Sequence, residues 1–241
     1  HGVMNTDNTS ISGETIDYGP CAFMDIFSMG RVFSSIDHHG RYQYGSQPQA
    51  VHWNLTKLAD SLLPLLHKNI DEAIKLAEVA INKYAYEFNQ AWLSGMRSKL
   101  GIFGEEGEDL ILVQRLLEWM EGAKVDYTST FRDLSYENLS EHKVYKSSVF
   151  KKWHTLWQAR LSRGSKPLKS SLSLMRQHNP VIIPFNHLVE ESLSASESGD
   201  MKPFLKLLSA IESPFTFSSS NEVYRYPPEN LNIKYQTFCG T

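Results

Sequence analysis

A mainly helical fold is what this sequence predicts, on three observations. From Gln47 onward, apolar residues recur at three- and four-residue spacing. The runs are separated by short stretches that Gly and Pro punctuate. The first 46 residues, rich in Gly, Ser, Thr, Asp and Tyr, alone break the pattern. Over 241 residues the chain is 41% hydrophobic and 21% charged, which excludes disordered, collagen-like and low-complexity classes.

Each helix carries its own signature. Val51, Leu55, Leu58, Leu62 and Leu65 share one face of a first helix that ends near Pro64. Residues 71–100 place Ile74, Ala77, Ile81, Tyr84, Phe88 and Trp92 on a single amphipathic helix, closed by Gly101-Ile102-Phe103-Gly104. Further helices are expected at 106–121, 128–139, 148–162, 166–177, 185–194 and 201–212, with Asn179-Pro180 and Ile183-Pro184 as breaks. The stretch 213–231, with its Ser run and Pro227-Pro228, reads as irregular chain. Trp53, Trp92, Trp119, Trp153 and Trp157 occupy helical positions where core packing is the default. The basic stretch Lys151, Lys152, Arg160, Arg163, Lys166 and Lys169 reads as solvated helix faces. The organisation expected is one domain in two parts, a loop-rich segment over 1–46 and a helical lobe over 47–241.

Charge and cysteine content narrow the function classes. Lys plus Arg number 24 against 27 Asp plus Glu, a net charge of −3, so no nucleic-acid or anionic-membrane partner is expected. No apolar run approaches the roughly 18 residues of a spanning helix, so no membrane segment is expected. The two cysteines, Cys21 and Cys239, exclude a disulfide-rich secreted scaffold and fit a reducing cytoplasm. Asp37-His38-His39 has no further ligand at zinc spacing and reads as a turn. A start at His1-Gly2-Val3-Met4 is the start expected of a fragment cut from a longer chain.

The chemistry lies in the first twenty residues. Residues 9–16 alternate polar and apolar side chains around a turn, the sign of a short β-hairpin. If Ser12-Gly13 form the loop, Asn8 faces Asp17, about 5 Å apart between Cα atoms; if Gly13-Glu14 turn instead, Asn8 faces Gly19. In the first register an amide oxygen and a carboxylate meet, hard donors suited to Mg²⁺ held jointly with substrate phosphates. Asn and Asp beside a hairpin also serve as turn and capping residues, so spacing alone leaves both readings open.

Residues 1–8, His-Gly-Val-Met-Asn-Thr-Asp-Asn, have the form of a kinase catalytic loop, His-x-Asp-x-x-x-x-Asn, with Val3 at the Asp position. Asn8 then holds the metal-binding Asn position, and Asp17-Tyr18-Gly19 stands where kinases carry Asp-Phe-Gly. Asp7 is a substitute for the missing base. If the segment is extended, neighbouring side chains point to opposite sides, so Asp7 faces an incoming hydroxyl while Asn8 faces the metal.

This combination resembles the selenoprotein O family, kinase-like proteins that transfer AMP from ATP to protein hydroxyls. The likeness rests on residues 1–8 and 15–20, and on Asp37-His38-His39-Gly40-Arg41-Tyr42, Asn54-Leu55 and residues 126–132. Residues 175–180 and the ending Phe238-Cys239-Gly240-Thr241 extend it over the whole chain. The resemblance implies the C-terminal lobe of a protein-kinase-like fold, its N-terminal hairpin carrying the metal-ligand motif. It makes Asp7 the proton acceptor, Asn8 and Asp17 the Mg²⁺ ligands, and Asp17 a nucleotide contact as well. Its partners are ATP, protein substrates bearing Ser, Thr or Tyr hydroxyls, and an N-terminal lobe in cis that supplies the nucleotide-clasping Lys. Without that lobe the fragment is expected to be inactive.

The resemblance also marks Cys239 as a redox position. The cysteine it pairs with in some bacterial members falls at Phe33 here, and Cys21 lies twelve residues earlier. Phe185 stands where the family places an Arg. The location implied is the cytoplasm for a bacterial protein and the mitochondrion for a eukaryotic one. Two alternatives stand beside the transferase. A small-molecule phosphotransferase is disfavoured by Val3, and a catalytically dead pseudokinase scaffold by the retained Asp7, Asn8 and Asp17.

Overall fold

The computed structural model describes residues 2–14, 22–139 and 142–228. Nine α-helices run through them: α1 (Gln47–Leu66), α2 (Ile70–Ile81), α3 (Tyr84–Lys99), α4 (Asp109–Ala123), α5 (Tyr127–Tyr136), α6 (Ser148–Arg163), α7 (Leu168–His178), α8 (Asn186–Glu197) and α9 (Lys202–Ile211). Among the described residues there is no strand, only a single antiparallel bridge between Ile26 and Asp126. The chain is therefore mainly helical, as its periodicity predicts. The described residues divide into two compact units, one made of 2–14, 22 and 29–92, the other of 23–28, 93–139 and 142–228.

In the first unit α1 packs on α2. Asn69 caps α2, its Oδ1 accepting the Asp71 and Glu72 N–H groups at 2.8 and 3.3 Å, and both acids complement the helix dipole. The single helix expected over 71–100 is two helices, because the chain turns at Asn82-Lys83, where Asn82 N–H closes on Glu78 O. The expected apolar stripe of α1 is also corrected. Leu58, Leu62 and Leu65 are exposed within this unit, and the buried residues of α1 are Ala50 and Asn54, one turn apart. Trp53 is 43% exposed, with the Arg41 and Lys57 cations 5.1 and 5.7 Å from its ring centroid, rather than in a core. Asp37 does cap a turn, its two carboxylate oxygens accepting the Arg41 and Tyr42 N–H groups at 2.9 Å each.

The second unit is built on the helix pairs α4–α6, α5–α7 and α8–α9. Leu100, Leu116, Met120, Phe131, Leu134 and Met175 are buried at its centre. The Trp153 and Trp157 rings lie 5.9 Å apart and almost parallel, and their indole N–H groups donate to Leu112 O and Leu100 O at 2.9 Å. Gly101 has φ +69°, and a Cβ there would lie 2.7 Å from Ser171 O, so the close approach of α7 requires glycine.

Arg160 departs from the solvated reading. It is 3% exposed, and with Arg97 it grips the buried Asp109 carboxylate at 2.7 and 2.8 Å. Burial alone would raise the Asp109 pKa. The hydrogen bonds from Arg160, the Glu106 N–H and Arg97 outweigh it and hold the carboxyl below its ordinary range. The stretch expected to be irregular contains a 3₁₀ segment, Ser219–Arg225.

Candidate functional site

The loop at residues 2–9 belongs to the first unit and is fixed from α1. Gly2 opens it at φ +73°, and a Cβ there would lie 2.6 Å from the Phe33 ring. Val3, at the position where a kinase loop carries its Asp, is 6% exposed, so this position is buried. Asn54, 6% exposed in α1, donates from Nδ2 to Met4 O and to Thr9 Oγ1, both at 2.8 Å. Thr9 Oγ1 in turn donates to Asn5 O at 3.0 Å. One amide thus ties the two ends of the loop together.

Between those ends, Thr6–Asn8 is a single 3₁₀ turn, with Asn8 N–H on Asn5 O at 3.2 Å and Thr9 N–H on Thr6 O at 3.4 Å. This corrects the extended geometry expected at Asp7 and Asn8. Successive side chains of a 3₁₀ turn diverge by about 120° and not 180°. Both residues still leave the loop in different directions, and both are exposed. The Asn8 Nδ2 donates to Val3 O at 3.2 Å. The buried Oδ1 atoms of Asn5 and Asn54 have no hydrogen-bond partner among the described residues.

The turn after the loop falls at Ser10–Gly13, where Gly13 N–H meets Ser10 O at 3.2 Å. It sits one residue before the earlier of the two expected registers. Asp17 and Cys21, like Cys239, lie outside the described residues, as does the returning arm of the expected hairpin. Among the described residues no group of three or more His, Cys, Asp or Glu side chains is placed to hold a metal. The oxygen donors of this loop, the amide carbonyl of Asn8 and the carboxylate of Asp7, are nonetheless of the type that Mg²⁺ takes.

The segment that follows is tied into the second unit. Asn186 accepts from the Phe23 N–H at 3.3 Å and donates to Phe23 O at 3.1 Å. Tyr127 N–H meets Asp25 O at 2.8 Å, and Phe27 N–H meets Val125 O at 3.0 Å. Asp126, at the start of the 126–132 motif, caps α5 through Ser129. Burial pushes its carboxyl up to about 6, and the nearby Asp25 adds to the rise while the Ser129 hydrogen bonds oppose it. Phe185 is buried just before α8.

Sequence reasoning singled out Asp7 and Asn8 but missed the work of Asn54. Its signal is a polar residue four after Ala50 on the one buried face of α1.

Comparison with known proteins agrees with the motif reading. A family profile described as protein adenylyltransferase SelO matches residues 1–212. Relatives named protein nucleotidyltransferase YdiU are 50% identical in Alcanivorax borkumensis and 48% identical in Bacillus cereus. A relative of the same name in Bacillus thuringiensis is also 48% identical. Each comparison covers 100% of this chain and 50% of the relative, so the chain spans about half the length of the curated relatives it matches.

Proposed function

The chain belongs to the SelO family of protein adenylyltransferases, and from that premise we propose that it is the catalytic-loop lobe of an enzyme that moves AMP from ATP to a protein hydroxyl. The observation that carries this reading is the loop Val3–Thr9: a buried Val where a kinase needs Asp, and an exposed Asp7-Asn8 pair on a turn clamped by Asn54. That arrangement moves the proton acceptor from the third position of the motif to the seventh.

In this reading the Asp7 carboxylate accepts the proton of a Ser, Thr or Tyr hydroxyl as its oxygen bonds to the α-phosphorus of ATP. The bond from the α-phosphorus to the bridging oxygen breaks, and pyrophosphate leaves. The Asn8 carbonyl and the Asp17 carboxylate would hold Mg²⁺, with Asp17 also serving the nucleotide, and the bound cation would neutralise phosphate charge. The clamp from Asn54 keeps Asp7 and Asn8 in fixed relation, so little reorganisation is needed on reaction.

The lysine and other phosphate-binding groups of the nucleotide clasp belong to the N-terminal lobe that the family resemblance implies. The chain by itself is therefore inactive in this proposal. The test is to incubate a protein of the relatives' full length containing this chain with ATP labelled at the α- or the γ-phosphate. The expected result is α-label on protein, lost in Asp7→Ala. Label from the γ-phosphate on a small molecule would establish a phosphotransferase instead, and no transfer from either position a scaffold.

A further inference from the structure

We propose that the groove between α4 and α6 of the second unit is a docking site for an acidic peptide segment with an aliphatic anchor. The groove has a volume of about 950 Å³ and is walled by Arg115 and Glu118 of α4, by Lys143 and Lys146 of the preceding 3₁₀ turn, and by Lys152 of α6. Four cations therefore face one carboxylate, on a chain whose net charge is −3. Among the described residues none of the four cations is in an ion pair with a carboxylate. The N-terminus of α6 adds to the field, since Ser147 lines the groove and the first turn carries no acidic residue.

The floor supplies the second half of the recognition. Val149 is 60% exposed and Leu156 46% exposed, an apolar pair seven residues apart on one face of α6. A smaller depression of about 210 Å³ continues the groove, sharing Arg115 and Leu156 and adding Ile111 and Ala159. From Val149 to Ala159 the floor runs about 15 Å along α6, the span of roughly four or five extended residues. A short segment with Asp or Glu on either side of a Leu or Ile matches this pattern of charge and apolar surface.

The aromatic residues decide against a single-stranded nucleic acid. Stacking needs open ring faces. Trp119 and Trp153 line the groove but are buried, and their indole N–H groups already donate to Ser147 Oγ and Leu112 O. The proposal is independent of the transfer chemistry, because none of its residues belongs to the Asp7-Asn8 loop.

The test is a fluorescence-anisotropy titration of the chain with a dye-labelled peptide carrying acidic residues around a central Leu. Control peptides replace the Leu by Ser, or the acids by Lys. Saturable binding at micromolar peptide is expected, with at least about tenfold loss for either control peptide. The same loss is expected in the Lys146→Glu/Lys152→Glu double variant and in Leu156→Ser, with thermal melting unchanged. Absence of saturable binding overturns the proposal, as does equal affinity for the Leu-to-Ser peptide. So does displacement of the peptide by a single-stranded oligonucleotide at lower concentration than by unlabelled peptide. The peptide controls need no variant, so a variant that fails to fold leaves the outcome decided.

Discussion

Two hydrogen bonds from one side chain set the geometry on which Asp7 and Asn8 depend. Asn54→Ala removes both and leaves Met4 O and Thr9 Oγ1 to find other partners. A loss of about 1–3 kcal/mol in folding stability is expected, read from the denaturant midpoint. In the full-length protein transfer falls further than the folded fraction does, because the loop loses its fixed form. Asp126 gives a second prediction at this scale. Its folded pKa of about 6 lies above the unfolded value, so it contributes stability at pH below about 4 that is lost as pH rises through 6. Asp126→Asn keeps the cap at α5 while removing the charge. It is expected to flatten the stability profile between pH 4 and 7 and to stabilise the fold at pH 7 by up to about 3 kcal/mol, measured by unfolding at each pH. Asp7 and Asn8 stand out in the sequence as candidates because a motif fixes their spacing. Their 3₁₀ conformation is not legible there, since the loop is tied by an amide 46 residues away from Asn8, a long-range contact that spacing does not report.

At the scale of elements, glycine positions separate tight packing from open surface. Gly101→Ala would force a Cβ to within 2.7 Å of the Ser171 backbone at a φ of +69°. A cost of about 2 kcal/mol or more is expected in thermal unfolding. Gly122→Ala, in α4 with nothing within 4 Å of its Cβ position, is expected to stabilise by about 0.5–1 kcal/mol. Most helices were legible from periodicity, because each buries its own stripe. Two features were not. The turn at Asn82-Lys83 interrupts a run whose apolar spacing continues straight through it, so periodicity cannot see it. Leu58, Leu62 and Leu65 of α1 obey helical spacing but are exposed in their unit, while an Asn one turn from Ala50 is buried. Spacing reports which residues share a face, and only packing reports which face is covered.

For the whole molecule, the chain belongs to the SelO family and spans about half the length of its nucleotidyltransferase relatives. The proposal built on this is that the chain supplies the acceptor and metal-binding groups while a lobe in cis supplies the rest of the nucleotide clasp. Among the described residues no helix is long and apolar enough to cross a membrane. The expectations for Asp17, Cys21 and Cys239 lie outside the described residues, and binding experiments reach Asp17 directly. The most direct measurement is calorimetry of Mg·ATP binding to this chain and to a protein of the relatives' full length containing it, each as wild type, Asn8→Ala and Asp17→Ala. The account predicts binding by the full-length protein, at least about tenfold weaker in either variant, and little heat from this chain alone. Unchanged Mg·ATP affinity in both variants, or no binding by the full-length protein, would contradict it.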